Sequence, residues 1–127
     1  MTEKTFRNRL VNELSKMGGV VRVNHGSVLA ERGTPDVQWI VAGRTLWVEL
    51  KIGSNQLSRS QEEYQKRLMI QGGCIVCTVW PSAFDTFIEF AQRWKELKYP
   101  KLVEPSCVTF ACGIKIPRVL LQRGVSR

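Results

Sequence analysis

TPDVQWIVAGRTLWVELK, residues 34–51, holds two runs of alternating apolar side chains on either side of Ala42-Gly43. Val37, Trp39 and Val41 share one face of the first run; Leu46, Val48 and Leu50 share one face of the second. A two-residue hairpin loop at Ala42-Gly43 pairs positions whose numbers sum to 85, so Val37 faces Val48 and Trp39 faces Leu46. A slip of one residue would set a carboxylate among these apolar side chains, so the hydrophobic pattern selects the register. That same register puts Asp36 directly opposite Glu49, with Lys51 two residues further along on the same face.

Working outward, Phe6, Leu10, Leu14 and Met17 fall at helical spacing from Glu3 to Met17, and Gly18-Gly19 ends the helix. Val20 to Val23 reads as a strand, followed by a polar loop from Asn24 to Pro35. After the hairpin, Gly53-Ser54-Asn55 leads into a second helix over Ser58–Gln71, which Gly72-Gly73 closes. Cys74 to Trp80 is a fourth strand. Pro81 breaks it, and Ser82-Ala83-Phe84-Asp85 predicts a capping-box start for a third helix, with Phe84, Phe87, Ile88, Ala91 and Trp94 as its apolar face. The order is αβββαβα, which predicts an α/β fold with a single mixed β-sheet flanked by helices. Residues 1–98 form the expected core domain. Residues 99–127 form a basic C-terminal extension, within which Cys107 to Ala111 has the pattern of one more strand.

The chain has 127 residues, one domain's worth, with 19 Lys plus Arg against 11 Asp plus Glu and a net charge of +8. A small basic domain has the electrostatic footprint of a nucleic-acid binder. Lys115, Arg118, Arg123 and Arg127 follow Gly113 with no acid among them. No apolar run is long enough to span a membrane and the N-terminus lacks the apolar core of a signal peptide, so a cytoplasmic protein is expected. The four cysteines read as core thiols of a reducing compartment. Cys74 and Cys77 lie in one strand, three apart, and point to opposite faces, with no turn between them to make a zinc knuckle.

Two like charges directly opposed destabilise a sheet, so Asp36 and Glu49 need a neutralising partner. Lys51 is one candidate, and a divalent cation is the other, because hard oxygen ligands suit magnesium or manganese. A solvated charge cluster is the plainer reading, but Ile40 and Trp47 on the same face are poor company for one. An ion held between two carboxylates beside a lysine suits phosphodiester hydrolysis: the ion polarises a phosphate oxygen, and the lysine orients the attacking water or stabilises charge on phosphorus.

Gly-Thr-Pro-Asp at 33–36, the hairpin, Glu-Leu-Lys at 49–51 and Leu-Ser-Arg-Ser-Gln at 57–61 together resemble the PD-(D/E)xK nuclease superfamily. Within it the chain is most similar to the compact VRR-NUC (virus-type replication-repair nuclease) domains, including stand-alone phage-type members, over about Glu3 to Trp94. The resemblance implies a restriction-endonuclease-like core and a Mg2+- or Mn2+-dependent deoxyribonuclease acting in a bacterial or phage-infected cell, with no organic cofactor. It makes Asp36 and Glu49 metal ligands, Lys51 the catalytic lysine, the Leu50 carbonyl a backbone ligand, Glu3 an acid brought to the metal and Gln61 a further active-site residue. It also implies a homodimer that favours branched, four-way DNA.

Several positions have rival readings. Glu3 has an equal claim as an acid stabilising a helix N-terminus. Gln61 belongs to a capping box with Ser58, yet it shares a helix face with Tyr64 and Leu68 that points toward the sheet. His25 and Ser27, in the loop before Gly33, are candidate phosphate contacts, although a lone loop histidine is more often structural. Trp39 and Trp47 read as packing residues. Val108, Phe110, Ile114 and Ile116 have no obvious place in the core and are candidates for a dimer interface, across which Lys115 and Arg118 would extend a DNA-binding surface. The alternative functions are a catalytically silent DNA-binding or inhibitory module on the same fold and a zinc-stabilised adaptor.

Overall fold

The computed structural model describes residues 1–24, 32–72, 74–96 and 107–110. Helix α1 (Glu3–Met17) leads into β1 (Val20–Val23), β2 (Val37–Val41) and β3 (Arg44–Leu50). Then come α2 (Arg59–Ile70), β4 (Ile75–Val79), a 3-10 turn at Pro81–Ala83, α3 (Phe84–Glu96) and β5 (Cys107–Phe110). The five strands make one sheet in the order β1-β2-β3-β4-β5. The first two pairings are antiparallel and the last two parallel, so the expected single mixed sheet is present.

The hairpin has the anticipated register, with Val37 opposite Val48 and Trp39 opposite Leu46. Ala42 and Gly43 both take positive φ, 52° and 75°, as a tight turn matched to the twist of the strands requires. Cys107–Phe110 lies alongside β4, so Val108 and Phe110 do have a place in the sheet, as parts of its last strand. The sheet therefore draws on the segment assigned by sequence to the extension. Ile114 and Ile116 lie outside the described residues.

One face of the sheet carries Val37, Trp39, Val41, Leu46, Val48, Leu50, Ile75, Cys77 and Val79, and α1 and α3 pack onto it with Phe6, Leu10, Leu14, Phe87 and Phe90. Trp39 is fully buried and donates its indole N–H to the Gly18 carbonyl at 2.9 Å, tying the end of α1 to the sheet. The expected Ser82 capping box is not formed. α3 is entered through the 3-10 turn, whose N-cap is Trp80 without a side-chain hydrogen bond, because Pro81 with its preset φ opens the helical stretch. Helix α2 lies on the opposite face and contributes nothing to this core. Its one fully buried side chain is Gln65, which donates to the Thr78 hydroxyl at 3.2 Å.

Gly33 fixes how the connection into β2 meets α2. Its φ is +88°, and a Cβ there would sit 2.6 Å from the Ser60 carbonyl carbon and 3.0 Å from the Gln61 nitrogen. Gly33→Ala is expected to cost about 2–4 kcal/mol, combining a disfavoured φ with a backbone clash. Urea unfolding measures this, and an unchanged midpoint would show that the turn relaxes freely.

Candidate active site

Asp36 stands immediately before β2, where its side chain can do what a strand residue cannot. Its Oδ2 accepts the Leu50 N–H at 2.9 Å, continuing the β2–β3 pairing by one side-chain rung. Its carbonyl accepts the Asn24 N–H at 2.8 Å, while Asn24 Nδ2 donates to the Pro35 carbonyl at 3.2 Å. Asn24 thus clamps the Pro35-Asp36 backbone from the end of β1. In the sequence it reads only as the start of a loop. The one signal pointing to it is its position in β1's register, just past Val23 opposite Val37.

Glu49 is the least exposed acid of the site, 2% accessible against 9% for Asp36. Its Oε2 accepts a hydrogen bond from Gln61 Nε2 at 3.0 Å, and its Oε1 is buried with no hydrogen bond. The carboxyl is pushed up to about 9. Burial is the largest cause, followed by the charge of Asp36 and the direct contact between the two carboxyls. Lys51 opposes the rise, and the charge of Glu3 adds to it. Electrostatically, then, α1 brings Glu3 to the site, although Glu3 also sits in the helix's first turn, where an acid is favourable in its own right.

Lys51 is half-buried just past β3, its backbone N–H bonded to the Val79 carbonyl at 3.0 Å. The Leu50 side chain lies in the core, and its N–H is the one that holds Asp36. Gln61 resolves its rival readings by using both ends of one amide. Its Oε1 accepts the Ser58 N–H at 2.8 Å, completing a capping box, while its Nε2 holds Glu49. One turn later Gln65 reaches Thr78, the β4 neighbour of Glu49, so α2 is pinned over the carboxylates at two points. Gln65, rather than Tyr64 or Leu68, is the inward residue beyond Gln61. A glutamine four residues after another is the signal that could have revealed it.

The chain matches no protein-family model, no curated protein and no solved structure.

His25, Ser27, Lys115 and Arg118 lie outside the described residues. Cys77 is buried in the core and Cys74 is half-buried before β4, its thiol directed at the Gly72 carbonyl at 3.5 Å. Among the described residues no three His, Cys, Asp or Glu side chains converge on one point. The donor set is therefore two carboxylates, with backbone oxygen and water left to complete a shell. Magnesium, which keeps several waters and takes one or two carboxylates, suits such a set. The Glu49 carboxyl, buried against Asp36 and with its Oε1 unbonded, is where these residues fit a cation. No described helix is long and apolar enough to cross a membrane.

Gln61→Glu separates capping from site chemistry. The carboxylate keeps an acceptor for Ser58 but replaces the donor to Glu49 with a third acid. For the phosphodiester hydrolysis that the sequence resemblance implies, the rate is expected to fall about 10–100-fold, the usual cost of losing a residue that orients a ligand, with helix content unchanged by circular dichroism. Wild-type cleavage at neutral pH would reduce Gln61 to a cap.

Proposed function

We propose that the protein is a divalent-metal-dependent deoxyribonuclease of the PD-(D/E)xK type, with Asp36, Glu49 and Lys51 at its centre. The observation that carries this reading is the buried Glu49 carboxyl held against that of Asp36, with its Oε1 lacking a hydrogen bond and the charge of Lys51 acting on it. Two opposed acids under a helix are a poor structural device unless a cation joins them.

In the proposed reaction a water oxygen bonds to phosphorus as one phosphodiester P–O bond breaks, giving a phosphate monoester and an alcohol. Asp36 and Glu49 would hold the Mg2+ or Mn2+, with the Leu50 carbonyl as backbone donor and Glu3 acting through a bound water. When bound, the ion supplies Lewis acidity to the phosphate and lowers the pKa of a coordinated water. Lys51 stabilises the charge that grows on the non-bridging oxygens, and Gln61 keeps the Glu49 carboxylate from turning away. The deciding experiment incubates the purified chain with linear, nicked, flap and four-way DNA, with magnesium, with manganese and with chelator. Cleavage that persists in excess chelator, or is absent on every substrate, would sink the reading.

One observation favours a second reading. A Glu49 held neutral at pH 7 can donate to Asp36, making a proton-sharing acid pair that needs no metal. The protein would then be a silent DNA-binding or inhibitory module, and Asp36→Asn would leave its DNA affinity unchanged or raised.

One site cuts one strand, so symmetrical cutting of branched DNA calls for a two-fold dimer, which we include in the proposal. Sedimentation of the full chain is expected to give twice the monomer mass. A monomer that still cuts four-way junctions symmetrically would remove this part and leave the active site standing.

A further inference from the structure

Helix α2 covers only half of the sheet face on which it lies. It packs against β4 and β5, where Val76 is fully buried and Thr78 is 3% exposed. The half of that face built from β1, β2 and β3 is more open. Strand pairing sets Arg22 beside Gln38 and Trp47 in one row, and Val20 beside Ile40 and Thr45 in the next. Arg22 is exposed and Val20 is 58% exposed, while Gln38, Ile40, Thr45 and Trp47 are half-buried. The Trp47 indole N–H makes no hydrogen bond, whereas that of Trp39 holds the Gly18 carbonyl. Position 47 therefore uses the ring and not its polar tip.

Charge selects what this surface can hold. Arg22 is the one charged residue in the two rows, so the patch is apolar and positive together. A second copy of the chain, itself +8, would bring another Arg22 to the contact. A nucleic-acid strand brings phosphates for the cation and base rings for the apolar strip. A duplex keeps its base faces stacked inside, so only an unpaired stretch offers both. The strip adjoins the carboxylates: Trp47 lies two residues before Glu49 on the same strand face, about 7 Å away. At about 3.4 Å of rise per nucleotide, that is roughly two bases from a phosphate at Glu49.

We propose that the open half of the sheet seats unpaired DNA beside the bond that is cut, with a base against Trp47 and Ile40 and a phosphate on Arg22. The inference rests on the nuclease reading and deepens it, because it makes an unpaired stretch next to the cut part of the substrate. Stacking on an indole tolerates any base, and an arginine on phosphate reads none, so the surface selects structure and not sequence.

The test measures binding of fluorescent oligothymidylate and of an abasic strand of equal length to the full chain. Chelator is present throughout, so that cleavage plays no part, and salt is varied. The wild type should bind oligothymidylate about 5–100-fold more tightly than the abasic strand, the worth of one stacked base. Trp47→Leu should remove most of that difference and leave the abasic strand bound as before. Arg22→Gln should weaken both strands several-fold and flatten the log K against log salt slope by about 0.7, the value for one phosphate contact on a single strand. Because Trp47 is half-buried, melting is followed in parallel. Gln38→Glu, which sets an acid between Arg22 and Trp47 on the side away from the core, should weaken oligothymidylate binding at an unchanged melting temperature. Arg93→Gln, on α3 across the sheet, removes the same charge as Arg22→Gln and should change neither affinity nor slope. The surface is refuted if the wild type binds both strands equally or binds neither, or if Arg22→Gln and Gln38→Glu bind like wild type. It is refuted too if Val20→Asp splits a dimer with strand binding intact, which would make this face a subunit contact. Binding that depends on Arg22 and Trp47 in a chain that cuts nothing with any metal would instead overturn the nuclease reading and leave the surface in place.

Discussion

Asp36→Asn, Glu49→Gln and Lys51→Ala are each expected to lower cleavage by about 10²–10⁴-fold or more while leaving a folded protein that still binds DNA. The amide is the right replacement at position 36, because its oxygen can still accept the buried Leu50 N–H now bonded to Asp36 Oδ2. Asp36→Ala would leave that N–H without a partner, a loss of about 1–3 kcal/mol that confounds chemistry with folding. Lys51→Ala removes the positive charge that opposes the rise in the Glu49 carboxyl, so metal binding should weaken along with turnover. Cleavage rate, circular dichroism and duplex affinity, measured together on each variant, decide the matter. Wild-type turnover in any one of the three would overturn the assigned centre.

The second large effect is on stability, and its sign follows from the direction of the Glu49 shift. The carboxyl stands at about 9 in the folded chain against an ordinary value of 4.5, so between these limits the native state binds the extra proton. Without a metal, the stability tied to this group is whole below about pH 4.5 and is lost as pH rises toward 9. At one pKa unit per roughly 1.4 kcal/mol, the loss by pH 8 is on the order of 3–5 kcal/mol. Glu49→Gln should abolish the slope. The oxygen of the introduced amide can take the Gln61 donor, and its nitrogen supplies an uncharged donor beside the Asp36 carboxylate. The variant is therefore expected to melt higher than metal-free wild type at pH 8 and to be inactive. Magnesium should raise the melting temperature of the wild type alone and release close to one proton on binding near pH 7.5. A wild type whose metal-free stability is flat from pH 5 to 9 would show that Glu49 is charged without a cation.

The element order, the hairpin register and the facing of Asp36 with Glu49 follow from local pattern, because strand alternation and a two-residue turn leave only one pairing that buries Val37, Trp39, Leu46 and Val48 together. The charge of the chain and the capping box at Ser58 are equally local. Tertiary structure alone decided the rest. Periodicity does not say on which face of a sheet a helix docks, so the burial of Glu49 beneath α2, and with it the raised carboxyl, appears only when that helix is in place. Asn24 acts across a loop, and Gln65 acts across the gap between helix and sheet. The Cys107–Phe110 strand joins the sheet by parallel pairing, which links residues far apart in sequence and leaves no short-range trace. Sequence alone determined which acids meet. The packing of α2 determined that they meet out of water, where two carboxylates a strand apart need a proton or a cation between them.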